Sequence, residues 1–307
     1  MDHQKDLVDV NLTSIMEFVL LGFSDIPNLQ MFLFVTFFFV YVITLMGNGI
    51  IIFITRTDKA LQTPMYFFLS NFSFLEICYV SVTLPRMLKR TISFVACATQ
   101  MCCFLVLAAT ECFLLAVMAY DRYVAICNPL HYPLIMKHKM CIQLVAGSWI
   151  SGIPVQIGQT FQIFSLPFCG SNLINHFFCD IPPILKLACG DTFVNEMMVF
   201  TVAVLFVTVP FLLILVSYGK LISTILKLSS ATSRTRAFST CSSHLMVVVL
   251  FFGSGMITYL RPRTSHSAGT DKVLSLFYTI VTPMFNPMIY SLRNKDVVRA
   301  LRKLLCK

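Results

Sequence analysis

Asp121, Arg122 and Tyr123 stand side by side in MAYDRYVAIC, residues 118–127, at the end of an apolar run that begins near Ala98. A guanidinium so close to membrane-length apolar sequence is costly unless it lies at an interface or has a partner, and Asp121 supplies that partner next door. The chemistry is that of an ion pair that can be made and broken at a membrane surface; the plainer reading is an acidic–basic pair at a helix end. Two further acids, Glu76 and Glu111, fall inside apolar stretches where a carboxylate is poorly tolerated. Of the twelve cysteines, Cys97, Cys169, Cys179 and Cys189 lie outside the apolar stretches or at the head of one. Four oxidisable thiols permit three pairings, and the sequence does not choose among them. The ten-residue spacings of Cys169, Cys179 and Cys189 match no common zinc pattern. The remaining cysteines, Cys306 apart, read as small apolar fillers. His244 is a lone histidine near a helix end, a structural or inner-surface group without a nucleophile–base partner, so enzyme chemistry has no foothold.

The elements that must position these residues are membrane helices. Of 307 residues 57% are hydrophobic and 12% charged, which is too little charge to clothe a soluble fold of this length. Crossing about 30 Å of hydrocarbon takes roughly 20 helical residues. Seven stretches qualify, at 27–54, 60–87, 97–126, 140–163, 196–226, 237–260 and 271–291. They are apolar around the whole circumference, and in lipid every backbone polar group must be paired within its own segment, so each is expected to be a helix. The fold expected is an all-α seven-helix membrane bundle over 27–291, preceded by an extracellular segment, 1–26, and followed by a cytoplasmic tail, 292–307.

Charge sets the orientation. With the amino terminus outside, only Lys5, Arg86, Lys89, Arg90, Lys186, Arg261, Arg263 and Lys272 of the 23 Lys and Arg fall on the outer side, in accord with the positive-inside rule. The net charge of +9 is therefore excess positive charge facing the cytosol and its anionic lipids, and nucleic acid is not needed to explain it. MDHQKDLVDV lacks the basic start and apolar block of a cleavable signal peptide, so the first span is expected to act as the insertion signal. Asn11 in Asn11-Leu12-Thr13 is a glycosylation acceptor on the expected outer side. In the tail, Val297, Val298, Leu301, Leu304 and Leu305 share one helical face and Arg299, Arg302 and Lys303 another, the pattern of an amphipathic helix on the inner leaflet, with Cys306 a candidate for palmitate. A transporter or channel is the alternative class; it would favour more ionisable groups along a path, broken helices or repeat symmetry, none of which is evident.

Seven spans, an outside amino terminus and Asp-Arg-Tyr at the inner end of the third span together resemble the rhodopsin-like G-protein-coupled receptors. Gly47-Asn48, Trp149, Pro210, Tyr218 and Asn286-Pro287-Met288-Ile289-Tyr290 extend the likeness. Within that superfamily the chain resembles the odorant receptors, through PMYFFLSN at 64–71, MAYDRYVAIC, RAFSTCSSH at 236–244 and PMFNPMIYSLRN at 283–294. The resemblance covers nearly the whole chain. It implies a plasma-membrane receptor of olfactory cilia that binds a small volatile odorant and activates a heterotrimeric G protein of the stimulatory olfactory type, raising cAMP, with no enzymatic activity.

Residue roles follow from the same resemblance. Asp121, Arg122, Tyr123, Tyr218, Asn286, Pro287 and Tyr290 form the switch and coupling set. Pro287 removes a backbone donor and bends the seventh helix; Asn48, Asn286 and Tyr290 need internal partners at membrane depth, as static bonds or as partners exchanged between two packings. Glu76 and Glu111 map to a mid-membrane sodium site, a shared proton being the alternative. Sodium is the one cofactor entertained. Disulfides are implied between Cys97 and Cys179 and between Cys169 and Cys189. The ligand pocket is expected among the third, fifth, sixth and seventh spans, lined by Phe104, Leu105, Ala108, Ala109, Cys112, Val202, Ala203, Phe206, Phe252, Gly255, Met256, Tyr259 and Thr279. Residues 105, 108, 109 and 112 share one helical face. Phe104 stands where amine receptors carry an aspartate and Ile280 where opsins carry a lysine, so neither an amine nor retinal is expected. The absence of charge points to neutral ligands such as alcohols, aldehydes, ketones or esters, with Arg263 near the entrance leaving carboxylic acids open. Phe251-Phe252-Gly253-Ser254 replaces the Trp-Pro switch of most relatives.

Overall fold

The computed structural model describes residues 17–22, 27–87, 90–169, 171–227, 231–259, 272, 274–292 and 295–305. Five helical stretches among them are long and apolar enough to cross a membrane, Met31–Thr57, Pro64–Pro85, Phe94–Cys127, His138–Phe164 and Phe193–Leu226. Two shorter apolar helices, Cys241–Ile257 and Leu274–Ile289, follow.

Helix α1 (Pro27–Thr57) leads through a 3₁₀ turn, Lys59–Leu61, into α2 (Pro64–Met87). Both helices open on proline, whose missing N–H would have had no partner in a first turn. The second helix starts later than residue 60 because Asp58 caps the 3₁₀ turn, accepting from the Ala60 N–H at 2.9 Å. Helix α3 (Phe94–Cys127) is capped by Ser93, which accepts from the Ala96 N–H at 3.3 Å. Its 34 residues span about 51 Å at 1.5 Å per residue. That exceeds the hydrocarbon thickness, so Cys97 and the Asp121–Tyr123 triplet emerge on opposite sides.

A short α4 (Tyr132–Ile135) precedes α5 (His138–Phe164), and α6 (Ile181–Leu185) lies in the long connection that follows. The next span is α7 (Phe193–Ala203), a π-helical turn at Val204–Thr208, and α8 (Val209–Leu226). Pro210 has no N–H to return to the carbonyl one turn earlier, which is the local reason for the widened turn. Helix α9 (Ala231–Tyr259) is followed by a second π-helical turn, Phe277–Val281, then α10 (Thr282–Leu292) and the terminal α11 (Lys295–Leu305).

The purely helical expectation needs correction at the amino terminus. Strand β1 (Glu17–Leu20) lies between β2 (Thr91–Ser93), to which it is antiparallel, and β3 (Leu173–Ile174), to which it is parallel. Three short segments thereby satisfy one another's backbone groups over the end of the bundle. Phe18 is fully buried there, its ring 6.0 Å from Phe94 and 5.9 Å from Phe168.

Polarity is inverted relative to a water-soluble domain. Phe32, Phe34, Phe38, Phe39 and Phe53 of α1 and Leu212, Leu213, Leu215 and Val216 of α8 face outward, while Asn48, Glu76, Glu111 and Asn286 are buried. Two glycines let helices approach closely. A methyl carbon at Gly47 would lie 3.2 Å from Cβ of Pro287, and one at Gly152 would lie 3.0 Å from Cβ of Ala109. On α11, Val297 and Ala300 are buried and Arg299, Arg302 and Lys303 exposed; Lys303 reaches the Asp58 carboxylate at 3.4 Å and Tyr66 donates to Asp296 at 3.5 Å.

Candidate functional site

At the carboxyl-terminal end of α3, Asp121 is 1% exposed and has both carboxylate oxygens engaged: Arg122 Nη2 lies 2.6 Å from Oδ2, and Tyr132 Oη donates to Oδ1 at 2.8 Å. Tyr132 reaches back from α4, a contact that only the short helix after the Asn128–His131 turn can make. Burial first, and the Asp121 charge next, push the Tyr132 phenol above its ordinary range, with Arg122 pulling the other way. The phenol therefore stays a donor, as the Asp121 carboxylate requires. Tyr123 turns toward α8, where the Lys220 ammonium lies 6.0 Å from its ring centroid. Tyr218 is buried and bonds His244 Nδ1 at 2.7 Å with the rings stacked, tying α8 to α9. His244 is thus a buried bridge rather than a group at the inner surface.

Half a membrane away, the Asn286 amide donates to Glu76 Oε1, and Glu111 lies close enough to Glu76 to interact with it electrostatically. Glu76 Oε2, Glu111 Oε1 and Asn286 Oδ1 are buried with no hydrogen-bond partner among the described residues. Asn48 is buried beside α10's close contact at Gly47 and donates to the Thr44 carbonyl at 3.0 Å. Three unpaired oxygens on α2, α3 and α10 form the kind of donor set that hard cations accept.

Toward the amino-terminal half of α3, an open cavity lies among α3, α5, the α7–α8 span and α9. Phe104, Leu105, Ala108, Ala109 and Cys112 supply the α3 wall; Val202, Ala203 and Phe206 the facing wall; Phe252 and Gly255 the α9 wall. Phe206 and Val207, both within the widened turn after Ala203, line the cavity together. Ile181 of α6 and Tyr79 of α2 close the outer end, and Phe104 sits between Tyr79 and Phe178 with ring centroids 5.4 and 5.1 Å away. The roof is covalently held: Cys97 is joined to Cys179 with Cα atoms 5.6 Å apart, and Cys169 to Cys189 at 5.8 Å. Gln100 Oε1 accepts from the Cys179 N–H at 3.4 Å beside the first bridge.

The cavity wall differs from the expected lining at two expected residues and seven additional ones. Thr279 does not reach the cavity; it is fully buried in the π-helical turn before α10, its hydroxyl bonded to the Ser275 carbonyl at 2.5 Å, so the seventh span supplies no wall among the described residues. Met256 packs half-buried against the core and is not part of the lining. In their place stand Tyr79, Ile181, Val199, Val207, Phe251 and, from the fourth apolar span, Gln156 and Gln159. That two amides three residues apart lie within an apolar span was a readable signal, since polar groups at such depth need partners just as Asn48 does. Asn11, Arg263 and Cys306 lie outside the described residues, as do the side chains of Tyr259, Tyr290 and Arg236. Pro287 is buried in α10.

Comparison with known sequences identifies the relatives. The sequence pattern of the family described as "Olfactory receptor" matches residues 37–307. The chain is 67% identical over 298 residues to the human protein named Olfactory receptor 10AG1, covering 95% of this chain and 99% of that one. It is 55% identical over 302 residues to human Olfactory receptor 10A4, covering 96% of each chain, and 52% identical over 299 residues to human Olfactory receptor 10A7, covering 95% of each.

Proposed function

We propose a ligand and a mode of signalling for this chain from one premise: it belongs to the olfactory receptor family, rhodopsin-like receptors of the plasma membrane. A small, neutral, volatile molecule occupies the cavity between α3, α5, the α7–α8 span and α9, and its binding activates a heterotrimeric G protein of the stimulatory olfactory type at the Asp121–Tyr123 end. The observation that carries this reading is the composition of the cavity wall, which is mostly aliphatic and aromatic, with the Gln156 and Gln159 amides and no charged group among the described residues. A charged ligand would enter without a counter-ion, whereas a neutral apolar one trades water for carbon contacts.

Seven crossings, with the amino terminus outside, are part of the proposal: the two shorter apolar helices, Cys241–Ile257 and Leu274–Ile289, complete the five long ones, and the excess of Lys and Arg stays on the inner side. In the resting state Arg122 is held by Asp121, and activation releases it to the G protein. Breaking a partly buried ion pair is a two-state event suited to a switch. The Glu76, Glu111 and Asn286 oxygens hold a sodium ion in the resting state; a proton shared by the two carboxylates is the competing occupant.

The test is a cAMP reporter in cells carrying the full chain with an amino-terminal epitope, challenged with a broad panel of volatile compounds. Staining of intact cells reports both surface display and the outside terminus. Some panel members should raise cAMP, and Arg122→Ala should abolish the response while staining is retained. Full responses from Arg122→Ala, or silence of the displayed wild-type receptor across the panel, would refute the reading.

A further inference from the structure

The fourth apolar span carries an unmet demand. Gln156 and Gln159 are three residues apart on α5, each 4% exposed, and both face the cavity. Gln156 Oε1 has no hydrogen-bond partner among the described residues. One residue beyond Gln159, the Thr160 hydroxyl is in the same position. Lining the same cavity on the adjoining α3 are Ala108, Ala109 and Cys112, none of which offers a strong acceptor or donor. Gly152 brings α5 against Ala109, and one turn farther on the same helix Gln156 is set beside the cavity. A buried polar group left unpaired is destabilising, so a site that keeps one is built for a partner that arrives from outside.

On the reading of the cavity as the odorant site, we propose that Gln156, with Gln159 beside it, is its polar anchor and that the ligands it selects carry a hydroxyl group. The argument rests on what an amide asks for. Its oxygen accepts and its nitrogen donates, and a hydroxyl does both, so it satisfies the side chain in either orientation of the amide. An ether, ketone or ester only accepts and leaves the carboxamide oxygen unpaired, as a hydrocarbon does. A carboxylate adds a negative charge to a wall that holds no cation among its described residues. The selectivity is therefore for alcohols and phenols over the isomeric ethers, with the apolar remainder of the ligand resting on Phe104, Phe206 and Phe252.

Matched probes separate this from a cavity that reads shape alone: 1-octanol with heptyl methyl ether and nonane, and 2-phenylethanol with benzyl methyl ether and propylbenzene, run within the volatile panel on the full receptor. Agonists should fall among hydroxyl compounds, active at concentrations about tenfold lower than their isomeric ethers, the worth of one net hydrogen bond. Gln156→Met, which keeps length and removes the amide, should raise the EC50 of the alcohols about tenfold and leave any response to the ethers in place, closing the gap. Gln156→Asn, which keeps the amide, should retain part of it and serves if the Met variant is not displayed; Gln159→Met should narrow the gap in the same sense. Equal potency of alcohols and ethers on the wild type, or agonists confined to compounds without a hydroxyl, overturns the anchor and leaves the odorant site standing. A Gln156→Met variant that loses alcohols and ethers equally overturns it too, since that is a packing effect. Silence across the whole panel removes the reading beneath it.

Discussion

The close approach of α3 and α5 can be tested by one methyl group. Gly152→Ala puts a carbon 3.0 Å from Cβ of Ala109, where packed carbons rest about 3.5–4.0 Å apart, so the helices must separate by about 0.5–1 Å or tilt. Over-packing of this kind costs about 1–3 kcal/mol. Alanine also returns up to about 1 kcal/mol of helix propensity lost by glycine, so the single variant is best read against controls that gain the propensity without the clash. The same helix provides them, since added methyl carbons at Gly147 and Gly158 meet nothing within 4 Å. In purified receptor followed by thermal unfolding, Gly147→Ala and Gly158→Ala should match or exceed the wild type, while Gly152→Ala should fall below both controls by several degrees. Ala109→Gly combined with Gly152→Ala moves the methyl from one helix to the other, and the double variant should regain most of the loss, giving a favourable coupling in the cycle. Because Ala109 lines the cavity, agonist potency should fall in Gly152→Ala and recover with it. If Gly152→Ala behaves as Gly147→Ala does, or if Ala109→Gly brings no recovery, the contact does not set the helix spacing.

Two further outcomes follow from the polar sites. Tyr132→Phe leaves Asp121 Oδ1 buried without its donor and should destabilise the receptor by about 1.5–3 kcal/mol, the worth of a hydrogen bond to a charged group; an unchanged unfolding temperature would contradict it. Because the folded state holds the Tyr132 ionisation above its ordinary value, this contribution is complete below the ordinary tyrosine range and is lost only as pH rises through the elevated value, so the gap between wild type and Tyr132→Phe should be flat from neutral to mildly alkaline pH. Sodium chloride, compared with choline chloride at equal ionic strength, should raise the unfolding temperature of the wild type and do so far less in Glu111→Gln; equal shifts in the two would favour the shared proton.

What the sequence revealed divides by range. The Asp121–Arg122 pair was visible because its members are neighbours, and the α3 wall because 105, 108, 109 and 112 repeat at helical spacing within one segment. Tyr132 was not visible as the second partner of Asp121, since that contact depends on how the chain turns between Asn128 and His131. The sheet was hidden for a similar reason: strands of four, three and two residues carry too little alternation to read, and they exist because three distant segments meet. Thr279 and Met256 lie off the cavity wall, and a helical face names a direction only when the helix's rotation is known. The π-helical turn at Phe277–Val281, which contains Thr279, shifts that rotation, and no spacing rule announces such a turn. Gln156 and Gln159 are the opposite case: two amides within an apolar span are legible in the sequence, but only the packing of the fourth span against the third brings them to the cavity.

Helix α3 carries every site. Cys97 ties its outer end to the roof, Phe104 to Cys112 form one wall of the cavity, Glu111 faces Glu76, and Asp121 and Arg122 close its inner end. Glu111 and Cys112 are adjacent, about 100° apart around the helix axis, so the side chain next to the cavity-lining Cys112 belongs to the buried acid cluster. Occupation of the cavity cannot turn or shift α3 at Cys112 without moving the Glu111 carboxylate by a comparable amount. The unpaired oxygens around Glu111 mean that such a movement breaks no saturated network, because the partners there are already incomplete among the described residues. One helical turn is about 5.4 Å, and about three turns separate Glu111 from Arg122. Over that distance an α-helix transmits rotation as a rigid body, and the Asp121–Arg122 pair at its end is held by side chains from both α3 and α4. On the proposed reading, a turn of α3 against α4 would load the Tyr132–Asp121 bond, and the donor that the sequence did not reveal would stand between the proposed ligand site and the proposed G-protein end.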